Sequence, residues 1–297
     1  MLLLDAESFP FNDSTKKYFE EPYVPQYFTS TGCWGHCTFC VLKDAWEGRQ
    51  IKEVVDDLEK ILSQTNEKHI VFGDPNIGAN TQRIREIGKV MKKYDATWHS
   101  NIRPDTLSQK MIDALQDSNC SSIEIGAECG NDVALELYIN KGITTQQVLD
   151  AAERLSHTDI SCMYSFLTNF PHETKEIQQD TINFIEKIHK IDPNSRTSIY
   201  SYMPLPGTEM YDEAIKTQGF VPPTKLEDWE DITMTNDPIY WITGLKYRKD
   251  NTKANFPGLQ RLKIAPYEIL AHALWKIRKF DKFPCASVAK TIKKRIQ

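Results

Sequence analysis

The chain has 297 residues, enough for one large α/β domain or one such domain with a small appendage, and able to bury a sizeable core. Lys and Arg number 36 against 41 Asp and Glu, a net charge of -5, and no apolar run approaches the roughly 18 residues that span a bilayer, which sets a transmembrane reading aside. The apolar start meets Asp5 at once, too short for a signal-peptide core and without its basic flank, so a cytoplasmic protein is expected.

From residue 27 onward, β-rich stretches alternate with amphipathic helical ones, the pattern of repeated β-α units and a parallel sheet. A first strand is expected at 27–31, running into a cysteine-rich loop, followed by a helix at 51–64 in which Val54, Val55, Leu58, Ile61 and Leu62 recur at helical spacing. Next come a strand at 69–72, a helix at 81–93, a strand at 97–100, a helix at 108–116 and a strand at 122–126. Helical segments near 133–139 and 145–156 precede a strand at 161–167, a helix at 175–190, a strand at 197–203 and a helix at 208–216, with a capping residue expected at each helix start. Six β-α units of this kind curl into a partial (β/α)6 TIM-type barrel, with active residues in the loops after the strands. The pattern then breaks, and one helix is expected at 267–280, making a small, mainly helical C-terminal appendage. The expected organisation is a linker-like segment at 1–26, the barrel at 27–219 and an extension with a basic helix at 220–297. Residues 246–297 carry about 14 Lys and Arg against 3 Asp and Glu, so the tail is basic and the body acidic.

Seven cysteines are an odd number, and three crowd into one loop while Cys120, Cys129, Cys162 and Cys285 are scattered, which favours metal ligation in a reducing compartment over a disulfide framework. Cys33, Cys37 and Cys40 are spaced C-x3-C-x2-C, close enough for one loop to wrap a compact iron-sulfur cluster. Three ligands leave one iron open. A structural zinc site and three unconnected thiols are the alternatives; zinc takes four ligands, and no second C-x2-C or His pair completes the set.

This loop, with Phe39 immediately before the last cysteine, resembles the radical S-adenosylmethionine superfamily, and the resemblance extends over about 5–219. It is similar to the branch whose members often carry a cobalamin-binding domain before the barrel. Supporting segments fall in order: Trp46, Glu47, Gly48 and Arg49 leaving the loop, Phe72 to Asn76 after the second strand, Ser100 to Arg103 after the third, Ile125 to Gly130 after the fourth, Phe166 to Thr174 after the fifth and Pro204 to Thr208 after the sixth. The resemblance implies a [4Fe-4S] cluster on Cys33, Cys37 and Cys40, and S-adenosyl-L-methionine chelated at the open iron and cleaved to a 5′-deoxyadenosyl radical. It implies cofactor contacts from Phe39, from Gly73 and Asp74 near the amino end, from Ser100, from Arg103 to the methionine carboxylate, from Glu128 to the ribose or amino group, and from Asn169 where the chain meets the adenine. Asn169 stands where a glycine is common, and Cys129, in place of the usual serine, is read as a small packed residue.

The chain begins almost at the linker that follows a cobalamin domain, so cobalamin is not expected on this chain alone. Expected partners are a small-molecule, lipid or peptide substrate and an electron donor such as flavodoxin or ferredoxin, with nucleic acid not expected. Tyr240, Trp241, Tyr247 and Phe256 are read as packing residues. The reaction after radical formation stays open among methylation, cyclisation and rearrangement. The competing reading is a non-catalytic metal- or cluster-bearing protein that binds a partner or RNA through its basic tail.

Overall fold

The computed structural model describes residues 26–225, apart from Asp44, together with Trp229. The helix expected at 267–280, the basic tail, Cys285, the four aromatics after residue 239 and most of the N-terminal linker lie outside the described residues.

Six strands form one parallel sheet: β1 (Gln26–Tyr27), β4 (His69–Phe72), β5 (Thr97–Ile102), β6 (Cys120–Glu128), β7 (Ser161–Thr168) and β8 (Arg196–Ser201). Their order in the sheet follows their order in the chain, and β1 does not pair with β8, so the barrel is partial as expected. Helices α1 (Ile51–Gln64), α2 (Thr81–Lys93), α3 (Gln109–Gln116), α4 (Asp132–Leu137), α5 (Thr145–Ser156), α6 (Lys175–Ile191) and α7 (Glu209–Gln218) complete six β-α units. Among the described residues no helix is long and apolar enough to cross a membrane.

Burial alternates along β4, β5 and most of β6, while β7 is buried from Tyr164 through Thr168. On β6 the core-facing Ile123, Ile125 and Ala127 are fully buried, while Ser122, Glu124, Gly126 and Glu128 turn to the concave face. The core lies between the sheet's outer face and the helices, where Trp98, Phe72, Phe166 and Tyr164 are buried with the apolar stripes of α1, α2, α5 and α6. Trp98 donates its indole N–H to the carbonyl of Ser118 at 2.8 Å, so this large side chain enters the core without a stranded donor. Side-chain caps open α2 through α7 at Asn80, Ser108, Asn131, Thr144, Thr174 and Thr208. The expected cap on α1 is not found; Gln50 makes no side-chain cap bond there.

One strand expectation is corrected. The stretch 27–31 is not continuous: it breaks at Phe28–Thr29, leaving β1 in the main sheet and β2 (Ser30–Thr31) in a separate antiparallel pair with β3 (Glu47–Gly48). The cause is Asp74, just beyond β4, whose carboxylate accepts from Thr29 N at 3.0 Å, Thr29 Oγ1 at 2.7 Å and Ser30 Oγ at 2.5 Å, and so captures backbone that would otherwise extend β1.

Candidate active site

The cysteine loop leaves β2 and returns through β3, and its two legs touch. Gly32 has φ +68°, and a Cβ there would stand 1.5 Å from the carbonyl oxygen of Ala45, so only glycine closes this neck. The far side of the loop is tied to two later units. Thr38 donates its N–H to the carbonyl of Ile139 at 3.0 Å and its hydroxyl to that of Tyr138 at 2.6 Å, while Met210 N donates to the carbonyl of Thr38 at 3.0 Å. Lys43 forms an ion pair with Glu209 beside that last bond.

All three loop thiols are free. Cys37 is buried, Cys33 and Cys40 half-buried. Backbone N–H groups already point at sulfur, from Gly35 to Cys33 Sγ and from Leu42 to Cys40 Sγ, each at 3.3 Å. Among the described residues no three His, Cys, Asp or Glu side chains converge on one metal ion. Thiolates that ligate separate irons of a cluster stand further apart than the ligands of a single ion.

Beside Cys37 the structure gathers Arg103, Glu128 and Lys141. Burial pushes the Cys37 thiol up, while Lys141 and Arg103 pull it down. Arg103, at the end of β5, lies against Gly35, where a Cβ would stand 2.6 Å from Nη1. Its guanidinium donates to both carboxylate oxygens of Asp105 at 3.0 and 3.1 Å and to the carbonyl of Lys141 at 2.7 Å. Glu128 ends β6 just after a register shift, with φ +61°, and accepts from Lys141 Nζ at 2.6 Å. The two side chains are 12% and 8% exposed, so this is a buried ion pair. Burial pulls the Lys141 ammonium down, but Glu128 and Cys37 outweigh it and the net shift is upward.

The other expected residues take different positions. Phe39 packs against the core edge. Gly73 donates its N–H to the carbonyl of Tyr27 at 2.9 Å, and a Cβ there would meet the Phe28 ring at 2.5 Å. Asp74 and Ser100 are fully buried; Asp74 holds Thr29 and Ser30, and Ser100 donates to the carbonyl of Phe72 at 2.9 Å. Burial pushes the Asp74 carboxyl up, with its three donors and Arg83 opposing. Asn169 has φ +61° at the end of β7, donating its N–H to Glu173 at 2.6 Å and its side-chain amide to Ser201 Oγ at 2.9 Å. The backbone thus adopts there the left-handed conformation a glycine would give, and Asn tolerates it. Cys129 is fully buried in the core, 3.4 Å from Thr181 Oγ1.

Lys141 carries no sequence signal of its own. Its only hint is a lysine before Gly142, directly after a short apolar helix, where a solvated cation is the ordinary expectation.

Comparison with known proteins bears on this arrangement. The profile of the radical SAM superfamily matches residues 27–185. Over 217 residues the chain is 31% identical to an uncharacterized methyltransferase of Pyrococcus horikoshii, covering 71% of this chain and 45% of the relative. It is 24% identical to the cytidylyl-2-hydroxyethylphosphonate methyltransferase of Streptomyces wedmorensis, over 74% of this chain and 45% of the relative. Among solved structures, the radical S-adenosylmethionine methyltransferase TsrM from Kitasatospora setae, with cobalamin and a [4Fe-4S] cluster bound, shares the fold with a TM-score of 0.59 and 18% identity, over 67% of this chain and 41% of its own. The chain spans about half the length of the curated relatives it matches.

Proposed function

This chain belongs to the radical SAM superfamily, and from that premise we propose that it is related to the cobalamin-dependent branch and that Cys33, Cys37 and Cys40 hold a [4Fe-4S] cluster that serves S-adenosylmethionine chemistry on a small-molecule substrate. The observation that carries the reading is the loop itself: three free thiols on one glycine-closed neck, with N–H groups aimed at two of the sulfurs and two cations beside the third. Such a donor set fits a cluster with one iron left for a cofactor. When bound, the cluster and S-adenosylmethionine supply the one-electron cleavage that generates a 5′-deoxyadenosyl radical.

The chain's own residues position and neutralise. Arg103 and Lys141 bring positive charge to a site that must hold three thiolates and a carboxylate-bearing cofactor. Glu128, held by Lys141 through Oε1 at the end of β6, would be the contact to the cofactor's ribose or amino group. Gly73 and the left-handed peptide at Asn169 present backbone at two strand ends, and Phe39 gives the loop an apolar foot. Asp74 and Ser100 use their oxygens on protein partners, and their part is to hold the strand ends from which Gly73 and Arg103 project. Two curated relatives are named as methyltransferases, which supports methyl transfer as the reaction served.

Anaerobic reconstitution tests the reading. The expected product is a brown protein with about four irons per chain, which Cys37→Ala abolishes and which forms 5′-deoxyadenosine from S-adenosylmethionine with dithionite. One zinc and no iron would favour a non-catalytic binding protein instead. An intact cluster that leaves the cofactor uncleaved under every reductant would overturn the proposal.

A further inference from the structure

Two side chains, Asp74 and Arg83, fasten the cysteine loop to the barrel. Asp74, from the β4 end, accepts from Thr29 N, Thr29 Oγ1 and Ser30 Oγ, gripping the outgoing leg three and four residues before Cys33. Arg83, from α2, spans both legs: Nη2 donates to the carbonyl of Thr29 at 2.9 Å and Nη1 to that of Arg49 at 2.6 Å, and its guanidinium lies 5.9 Å from the Trp46 ring centroid. The legs are also tied to each other, with Arg49 N donating to the carbonyl of Thr29 at 3.0 Å above the β2–β3 pairing. A second anchor lies behind them, where Arg49 and Tyr27 both reach Asp57 of α1.

We propose that Asp74 and Arg83 are positioning residues for the cysteine loop: they fix where its neck leaves the barrel, and so where Cys33 stands, instead of touching the cofactor. The geometry favours this over direct contact because Asp74 has no exposed surface and both its oxygens are engaged by Thr29 and Ser30. A carboxylate is the suitable grip, since two oxygens can accept three donors and bend the backbone away from β1 while doing so. Arg83 suits the opposite task, because a planar fork reaches two carbonyls on different legs at once. The proposal rests on the assignment of the three cysteines as ligands only in its second readout.

The first readout is hydrogen-deuterium exchange of the full chain before reconstitution, comparing the parent with Asp74→Asn, Arg83→Met and Thr29→Val. Expected is exchange at least about tenfold faster across 29–33 and 46–49 with β5 to β8 unchanged, and an Asp74→Asn/Thr29→Val double variant no faster than Asp74→Asn alone, since Thr29→Val removes one of the bonds that the first change already disturbs. The second readout is the midpoint potential and electron paramagnetic resonance spectrum of the reconstituted cluster, which should shift in Asp74→Asn and return toward the parent in Thr29→Ser compared with Thr29→Val. If Asp74→Asn does not fold, Ser30→Ala and Thr29→Val carry the same two measurements. Unchanged loop exchange together with weakened S-adenosylmethionine binding in Asp74→Asn would make Asp74 a cofactor ligand and overturn the proposal. Faster exchange spread over the whole sheet would overturn it too, by showing a general structural role.

Discussion

Replacing Lys141 by Met isolates the buried pair at the end of β6. Methionine matches lysine in length and keeps most of its packing, so the change removes the ammonium 2.6 Å from Glu128 and leaves that carboxylate, 12% exposed, without its cation. Breaking a buried ion pair from one side destabilises by about 3–5 kcal/mol, because the remaining charge keeps its desolvation penalty. For a domain of this size that corresponds to a fall of roughly 6–20 °C in Tm. The Lys141→Met/Glu128→Gln double variant removes both charges and should recover most of the loss, giving a coupling of about 2 kcal/mol or more in a double-mutant cycle. Thermal and urea unfolding of the apoprotein measure all four corners. Losses below about 1 kcal/mol in the single variant, or an additive double variant, would refute the reasoning by showing that water already screens the pair.

Gly130→Ala should destabilise by about 1–3 kcal/mol, because the new Cβ would stand 2.5 Å from Phe184 Cβ and 2.7 Å from Thr181 Cα on α6, where no flexible side-chain end can yield; an unchanged melting curve would count against it. Thr144→Ala should remove about 1 kcal/mol by breaking the capping box with Gln147, read as a lower urea midpoint at unchanged slope. Burial lowers the pKa of both His69 and His99, so each binds a proton less readily when folded than when unfolded. Their contribution to stability is therefore present above the ordinary imidazole pKa of about 6.5 and is lost as pH falls through the lowered folded value; urea midpoints at pH 7 and 5 should show the loss, reduced in His99→Gln.

The helices were the most legible part of the fold, and for physical reasons that individual cases show. The range of α1 follows from Val54, Leu58, Ile61 and Leu62 recurring on one buried stripe, and that of α5 from Val148, Ala151, Ala152 and Leu155 doing the same. The cysteine loop was legible because its three cysteines lie within eight residues of sequence. The break at Phe28–Thr29 was not, since nothing local interrupts a β-rich stretch; the interrupting group is Asp74, 45 residues away. Lys141 was hidden for the same reason. Its identity as a buried cation depends on Glu128 and on Cys37, and a local pattern reads any lysine beside a glycine as solvated. The six strand-and-helix units were read from alternation, although β6 runs longer than its apolar pattern because the polar Glu128 completes it on the concave face.

Thr38 binds the loop to Tyr138 and Ile139, about 100 residues later, and to Met210 at the start of α7. Contacts between such distant positions close large loops and form late, after locally encoded helices and neighbouring strands have assembled. The cysteine loop precedes both of these partners in the chain and is expected among the last parts of the barrel to take its final shape. A chain cut before α7 lacks the donor at Met210 and the carboxylate of Glu209, and so loses the ties that α7 makes to the loop at Thr38 and Lys43.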